Sequence, residues 1–229
     1  MAQNDQKWCF AWFAEKPTAS GAERAALVKS AKWAPGDIIT VSFLDGAPDV
    51  QERVREAARG WTVPGLADLT LDFRKNQNTL IRISFQHAGS WSVIGTTCRT
   101  VTSQAAPTMN FGWLRRESTD DEVRRVVLHE FGHALGLIHE HQNPGTVIHW
   151  NREQVVKDLS GPPNNWSLDV IEHNMFEPYS KTETNYTAVD SKSIMMYPIP
   201  KTWATDGFWA DLNSDLSPTD RTFIHEQYP

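Results

Sequence analysis

The sequence predicts an α+β fold, and three observations lead to this prediction. Stretches rich in β-branched and aromatic residues, which are typical of strands, are concentrated in the first half. One long helical pattern opens the second half, and most of the chain beyond it is rich in Pro, Gly, Asn and Ser, which favour loops. With 229 residues, the chain is long enough to bury one large core, in one domain or in one domain of two lobes.

Residues 1–32 differ from the rest and are predicted to form an N-terminal extension, either a pro-segment or an arm packed on the domain. Ser20 and Glu23 have the spacing of a capping box, which predicts a short helix carrying Leu27 and Val28. Pro35-Gly36 would end that helix.

Four stretches that follow have the composition of strands, and they cover residues 37–44, 69–73, 80–85 and 108–113. Pro107 precedes the last stretch and Gly112 interrupts it, so we expect that strand at an edge of the sheet. Between the first two, Val50, Val54 and Trp61 belong to a pattern of helical spacing, which predicts an amphipathic helix.

The long helical pattern predicts a buried helix from Thr119 to Gly136. The side chain of Thr119 can cap the first turn, and the acidic residues after it favour the positive end of the helix dipole. Apolar residues cover much of the circumference, so we expect this helix in the core. Two later helices are predicted, over residues 152–159 and from Ser217 to Tyr228, and Ser217-Pro218 with Asp220 at the N3 position caps the start of the second.

Two histidines of the buried helix have the spacing of metal ligands. His129 and His133 are four residues apart, so their imidazoles lie on one face and can share one zinc ion. Gly136 lets the chain leave the helix with a positive φ, so that His139 can return as a third ligand. The other histidines have no ligand spacing and are predicted to be surface or hydrogen-bonded residues: His87, His141, His149, His173 and His225.

Three neutral imidazoles leave one position on zinc open to water, which is typical of a catalytic site. The ion lowers the pKa of that water towards about 7. Glu130 can reach the water without binding the metal, and can take its proton as the water attacks a carbonyl carbon. The pattern therefore predicts a hydrolase with one catalytic Zn²⁺ ion and Glu130 as general base.

The string from His129 to His139 resembles the long zinc-binding motif of the metzincins. Glu140 follows the third histidine, as in the astacin form of that motif. Residues 193–197 (SIMMY) resemble the Met-turn of this clan, and residues 216–220 are similar to the start of its closing helix. The chain therefore looks like a divergent, microbial-type branch of the astacin-like metzincins.

The resemblance covers residues 33–229 and implies a zinc endopeptidase domain. It implies an upper lobe, residues 33–136, of twisted mixed sheet plus two helices. It also implies an irregular lower lobe, residues 137–229, that ends in a helix, with the active-site cleft between the lobes. An edge strand above the zinc helix would pair with an extended protein or peptide substrate, and residues 108–113 are the candidate.

By the same resemblance, a methionine lies beneath the zinc, and Tyr197 is a fifth zinc ligand that swings away to hydrogen-bond the tetrahedral intermediate. The Ser-x-Met-x-Tyr register of astacins selects Met195. The Met-Tyr-Pro register of matrixins selects Met196 and has no tyrosine ligand. Ser193 and Glu140 favour the astacin register. Glu140 would bind a buried N-terminus, as in mature astacins, or make a local salt bridge or hydrogen bond.

The two cysteines leave several interpretations open. The thiolate of Cys9 could occupy the open position on zinc and keep the enzyme latent. Cys9 could instead pair with Cys98, or be a small buried residue among aromatic side chains. The packing and disulfide interpretations are favoured.

Composition excludes several partners. A net charge of −6 provides no basic stripe for nucleic acid, and no apolar stretch is long enough to span a membrane. We expect a monomer, secreted by family resemblance, although no signal peptide is visible. Two other functions stay open: a weakly catalytic zinc module that binds protein or glycan through the tryptophan-rich C-terminal region, and a zinc hydrolase of non-protein amides.

Overall fold

The computed structural model describes residues 27–75, 78–145, 148–162, 165–177 and 188–229, together with the backbone of strands Cys9–Trp12 and Thr184–Asn185. The strands are β1 (Cys9–Trp12), β2 (Leu27–Val28), β3 (Ile38–Phe43), β4 (Thr70–Phe73), β5 (Ile81–Ser84), β6 (Ser90–Val93), β7 (Met109–Phe111) and β8 (Thr184–Asn185). The helices are α1 (Pro48–Ala58), α2 (Asp120–Ala134), α3 (Arg152–Ser160), α4 (Leu168–Ile171) and α5 (Pro218–Gln227). A mixed sheet with helices confirms the predicted α+β class.

Six strands form one mixed sheet in the order β1-β6-β7-β5-β3-β4. β3 pairs in parallel with β4 and β5, and β5 pairs in parallel with β7. β6 runs antiparallel to β7, and β1 adds to the outer side of β6 in parallel. Helix α2 contacts both α1 and β6. The helix with the histidine motif therefore lies beside β6, which is an outer strand among residues 27–229.

The prediction that residues 108–113 form an edge strand is wrong. β7 lies inside the sheet, between β5 and β6. Pro107 precedes the strand, so its missing N–H leaves the ladder intact. Gly112 follows the strand at a close backbone contact, since a Cβ there would lie 2.3 Å from the carbonyl oxygens of His87 and Gly89. The sequence analysis missed β6 because this stretch is only four residues long and half of it is serine.

The short helix predicted in the N-terminal extension is wrong over its last residues. Leu27–Val28 form β2, which is antiparallel to β8, and Lys29–Ala31 form a 3₁₀ turn. The N–H of Val28 donates to the carbonyl of Gly136 at 3.0 Å, so this segment is held by the chain that leaves α2. A tertiary contact here outweighs local helical spacing. Residues 13–26 lie outside the described residues, and the boundaries of the extension and of the two lobes stay predictions.

Helix α2 is held at both ends and along its length. The Oγ1 of Thr119 caps it by accepting from the N–H of Glu122 at 3.2 Å, and Gly136 has a φ of +97° just beyond its end, both as predicted. Three buried aromatic side chains donate to its carbonyl oxygens: Trp61 Nε1 to Leu128 at 2.8 Å, Trp33 Nε1 to Ala134 at 2.9 Å and Tyr228 OH to Leu135 at 2.6 Å. These bonds fix the rotation and depth of the helix.

The two later helices are confirmed as α3 and α5. Helix α5 begins with the capping box between Ser217 and Asp220 that the sequence predicts. In the described part of the chain, no helix has the length and hydropathy needed to cross a membrane.

Candidate metal centre

Three histidine side chains converge at the C-terminal end of α2. His129 and His133 lie one turn apart on this helix, with ring centroids 4.8 Å apart and ring planes at 90°. The chain then turns at Gly136 and returns His139, whose Nε2 lies 3.2 Å from the Nε2 of His133. One ligand nitrogen from each ring lies within 4.8 Å of the others. The structure therefore brings together the three histidines that the spacing predicts.

Each ring is oriented by an acceptor at its Nδ1 atom. The Nδ1 of His129 bonds the carbonyl of Ile194 at 2.8 Å, and the Nδ1 of His133 bonds the carbonyl of Leu137 at 2.8 Å. The Nδ1 of His139 faces the side-chain oxygen of Gln142 at 3.2 Å. Since carbonyl oxygens only accept, each Nδ1 carries the proton and each Nε2 presents a lone pair to the centre.

The arrangement fits a zinc ion. Burial lowers the pKa of all three rings, which keeps them neutral and able to bind a metal. Zinc–nitrogen bonds of about 2.0–2.1 Å at tetrahedral angles separate two ligand nitrogens by about 3.3 Å, close to the observed distance between His133 and His139. The Nε2 of His129 is buried and has no hydrogen-bond partner among the described residues. A cation at the centre satisfies all three lone pairs.

Glu130 and Tyr197 complete the predicted set. Glu130 is fully buried on α2, next to His129. The ring of Tyr197 is also buried, with its centroid 4.1 Å from that of His139 and 6.1 Å from that of His129. The structure thus places a phenol beside the imidazoles and a buried carboxyl-bearing residue next to the first of them along the helix.

The Met-turn packs against α2 in the register that selects Met195. A Cβ on Gly132 would lie 2.4 Å from the Sδ of Met195, so the sulfur occupies the space left by the glycine, on the helix turn between His129 and His133. The carbonyl of Met195 also accepts from the N–H of Glu140 at 3.0 Å. Sequence analysis gave no role to Gly132; its position between the two ligands was the signal for this close contact.

Two residues beside the ligands were missed. His141 is buried, and its ring stacks on Tyr197 with centroids 4.8 Å apart, while its Nε2 bonds the carbonyl of Asn174 at 2.8 Å. Gln142 orients His139, and its own amide nitrogen donates to the carbonyl of His173 at 2.7 Å. No sequence spacing predicts a role for either residue, because both follow the end of α2 and their contacts with the site depend on how the chain folds there.

Glu140 makes local hydrogen bonds. Its Oε1 accepts from the side chain of Asn143 at 3.1 Å and from the N–H of Asp190 at 3.2 Å. Burial raises the pKa of Glu140 to about 7. Whether it also binds an N-terminus stays a prediction, because residues 1–8 lie outside the described residues.

The thiol of Cys98 is free and buried, so the predicted disulfide with Cys9 is wrong, and burial raises the pKa of Cys98 to about 11. Cys98 is therefore a protonated core residue at neutral pH. The side chain of Cys9 lies outside the described residues, so its proposed contact with the metal stays a prediction.

Comparison with solved structures identifies the family. One structure of myroilysin superposes with a TM-score of 0.85 at 43% sequence identity, and the match covers 89% of this chain and 98% of that one. The chain belongs to the astacin-like metzincins. A second, a crystal structure of myroilysin, matches at 39% identity and a TM-score of 0.69, over 97% of this chain and 91% of that one.

A more distant astacin-like fold is that of high choriolytic enzyme 1, a hatching enzyme zinc-protease from the medaka fish Oryzias latipes. It matches at 16% identity and a TM-score of 0.57, over 90% of this chain and 98% of that one, and supports the fold of this astacin-like metzincin. No protein-family model and no curated protein matches the chain.

The contact between Gly132 and Met195 predicts the effect of one methyl group. In Gly132→Ala the new Cβ displaces the sulfur, so we expect the free energy of unfolding of the zinc-free protein to fall by about 1–3 kcal/mol and zinc affinity to fall with it. Denaturant unfolding and zinc titration measure both. The control is Gly161→Ala, whose Cβ meets one carbonyl oxygen at an ordinary 3.6 Å. Equal unfolding curves for the two variants would contradict the packing.

Proposed function

We propose that the protein is a zinc endopeptidase that hydrolyses peptide bonds within extended protein chains. His129, His133 and His139 hold one zinc ion. The observations that carry the proposal are the convergence of three buried imidazoles, each with its Nδ1 bonded to an oxygen atom, and the burial of Glu130 next to His129 on the same helix. A purely structural zinc site has no need of an adjacent base, so this carboxylate supports catalysis over a binding role.

Each residue has a defined part in the reaction. Zinc, when bound, supplies Lewis acidity and lowers the pKa of water towards about 7. Glu130 takes one proton from the attacking water and later delivers it to the nitrogen of the departing amine. Tyr197 would be a further ligand of the zinc ion, and its hydroxyl would donate to the oxyanion that forms when the carbonyl carbon is attacked. One water is consumed and the peptide bond is replaced by a carboxylate and an amine.

The substrate is proposed to add a strand to β6. This strand contacts the zinc helix, and of the described residues only those of β1 pair with its outer edge. Pairing through backbone groups suits an endopeptidase, because every extended peptide offers the same donors and acceptors. β1 pairs with this edge in register from Cys9 with Ser90 to Trp12 with Val93, so the N-terminal extension competes with substrate and acts as a pro-segment.

We further propose that the enzyme acts outside the cell, as a monomer, without binding nucleic acid. The net charge of −6 supports the last point, because a phosphate backbone would be repelled. Sedimentation at several concentrations tests the monomer, and fractionation of the producing cells tests export. A mass that grows with concentration would reject the monomer.

Glu130→Gln is expected to lower kcat/KM on an unfolded protein substrate by at least about 100-fold, because an amide cannot accept the proton. Zinc content should be unchanged. Treatment with a chelator should abolish cleavage, and added zinc should restore it. Glu117→Gln removes an exposed carboxylate from the loop ahead of α2 and should cleave normally.

Equal digestion by the unchanged, chelated and Glu130→Gln proteins would reject the proposal. Zinc binding without cleavage of any protein substrate would instead favour the binding module. Cleavage confined to non-peptide amides would favour the third function.

Tyr197→Phe is expected to lower kcat by about 100- to 1,000-fold with little change in KM, because the hydroxyl bonds the oxyanion and not the bound substrate. Steady-state kinetics on a peptide substrate measure the two constants. Tyr228→Phe is the matched control, since it also removes a buried hydroxyl, which bonds the carbonyl of Leu135. That variant should lose stability, and its kcat should fall far less than that of Tyr197→Phe. A Tyr197→Phe enzyme with normal kcat would remove the residue from the mechanism.

Proline in β1 is expected to activate the enzyme. The backbone N–H groups of alternate residues in a strand point to the same side, so one of Phe10 and Ala11 donates to β6. A proline at that position removes this hydrogen bond. One lost hydrogen bond should raise kcat/KM on an extended peptide by about 2- to 10-fold. Ala11→Ser keeps the backbone N–H and should not activate. If both proline variants match the unchanged chain in kcat/KM, β1 does not compete with substrate.

A further inference from the structure

The peptide segment from Ser193 to Met195 makes two contacts with the metal centre. The carbonyl of Ile194 accepts from the Nδ1 of His129 at 2.8 Å, and the Sδ of Met195 fills the space beside Gly132. Both contacts depend on where this turn sits. Ser193, Ile194 and Met195 are all buried, so water does not fix their backbone groups.

A single carboxylate from the last helix holds this turn. Asp220 is buried near the start of α5, and its Oδ1 accepts from the hydroxyl of Ser193 at 2.7 Å. Its Oδ2 accepts from the N–H of Ile194 at 2.8 Å. The Oγ of Ser193 then accepts from the N–H of Met195 at 3.0 Å, which closes a network around the turn.

Helix capping alone does not account for these contacts. As a cap, Asp220 needs only the bond from the N–H of Ser217 at 2.9 Å. Its other two bonds reach residues 26 and 27 positions earlier in the chain. Burial raises the pKa of Asp220, which shows that burying its charge costs free energy. The bonds from Ile194, Ser193 and Ser217 lower this pKa without cancelling the effect of burial, and two of these three bonds come from the turn.

We propose that Asp220 is a positioning residue for the metal centre: by holding the N–H of Ile194 it directs the carbonyl of the same residue at the Nδ1 of His129. Ile194 links the two groups: its N–H donates to the carboxylate of Asp220, and its carbonyl accepts from the imidazole of His129. Its consequence is a fixed tautomer and ring angle for the first ligand. The inference rests on the proposed zinc centre, but it concerns metal binding and not cleavage.

The experiment compares three variants of the full chain. Asp220→Ala removes all bonds to the turn. Asp220→Asn keeps the shape, since its oxygen can accept from Ile194 while its NH₂ donates to the Oγ of Ser193. Ser217→Ala is the control for the cap: it removes the bond from the N–H of Asp220 and the bond from the Ser217 hydroxyl to Asp190, and it leaves the bonds from Asp220 to the turn in place. The readouts are zinc affinity by competition with a chelator, the visible spectrum of the Co²⁺ form, and thermal unfolding of the metal-free protein.

We expect Asp220→Ala to weaken zinc binding by about 10- to 100-fold and to change the Co²⁺ spectrum, as for other residues that orient a ligand. Asp220→Asn should restore both, and Ser217→Ala should lower only the unfolding temperature. Equal zinc affinities for Asp220→Ala and Ser217→Ala would overturn the proposal. If a protein with this pattern fails to cleave peptides, the proposed function is wrong and the positioning role stands.

Should Asp220→Ala fail to fold, Ser193→Ala replaces it. This variant removes the hydroxyl that joins Asp220 to the N–H of Met195 and leaves α5 capped. We expect several-fold weaker zinc binding. Because this variant keeps the bond from the N–H of Ile194 to Asp220, the decisive fallback is Asp220→Glu, which keeps the charge but moves the carboxylate by one methylene. Normal zinc affinity in Asp220→Glu would overturn the proposal.

Discussion

Three imidazole rings are buried together at the end of α2, and each must satisfy two ring nitrogens away from bulk water. Burial lowers their pKa and keeps them neutral, so each ring has one donor and one acceptor. The donors find backbone or side-chain oxygens. The acceptors face one another across a space the size of a metal ion, and without a cation there they would repel. The surrounding structure follows from the need to satisfy these six nitrogens.

The three acceptors at Nδ1 come from different parts of the chain, and each part has to be held. Leu137 follows the left-handed turn at Gly136, Gln142 lies in a 3₁₀ turn, and Ile194 belongs to the Met-turn. The N–H of Glu140 ties the second of these segments to the third through the carbonyl of Met195. Trp33 and Tyr228 donate to carbonyl oxygens at the end of α2, and the carboxylate of Asp220 accepts from the N–H of Ile194. These bonds hold α2 and the Met-turn in place. Displacing any one segment therefore disturbs the others.

Sequence analysis predicted the parts of this site that depend on near neighbours. Ligands four residues apart on a helix, a glycine with positive φ and a capping box are all set by local backbone geometry. The neighbours of β7 were predicted wrongly, because strand order depends on contacts between distant segments. Asp220 was identified as a helix cap, but its bonds to Ser193 and Ile194 depend on how α5 docks. Local pattern thus predicted which histidines converge, and tertiary packing determines what orients them.

β6 lies beside the helix of the metal centre, and its proposed role in binding substrate limits how its edge can be protected against aggregation. Proteins usually blunt an edge strand with charged residues or proline, since its free N–H and C=O groups can pair with other chains. β6, with the sequence SWSV, contains neither, and the proposed substrate needs those same free groups. If substrate binds as proposed, protection comes from a removable strand instead of from residues of β6, and β1 covers this edge of the sheet. Removing β1 would make the edge available to substrate and to other unfolded chains through the same backbone atoms.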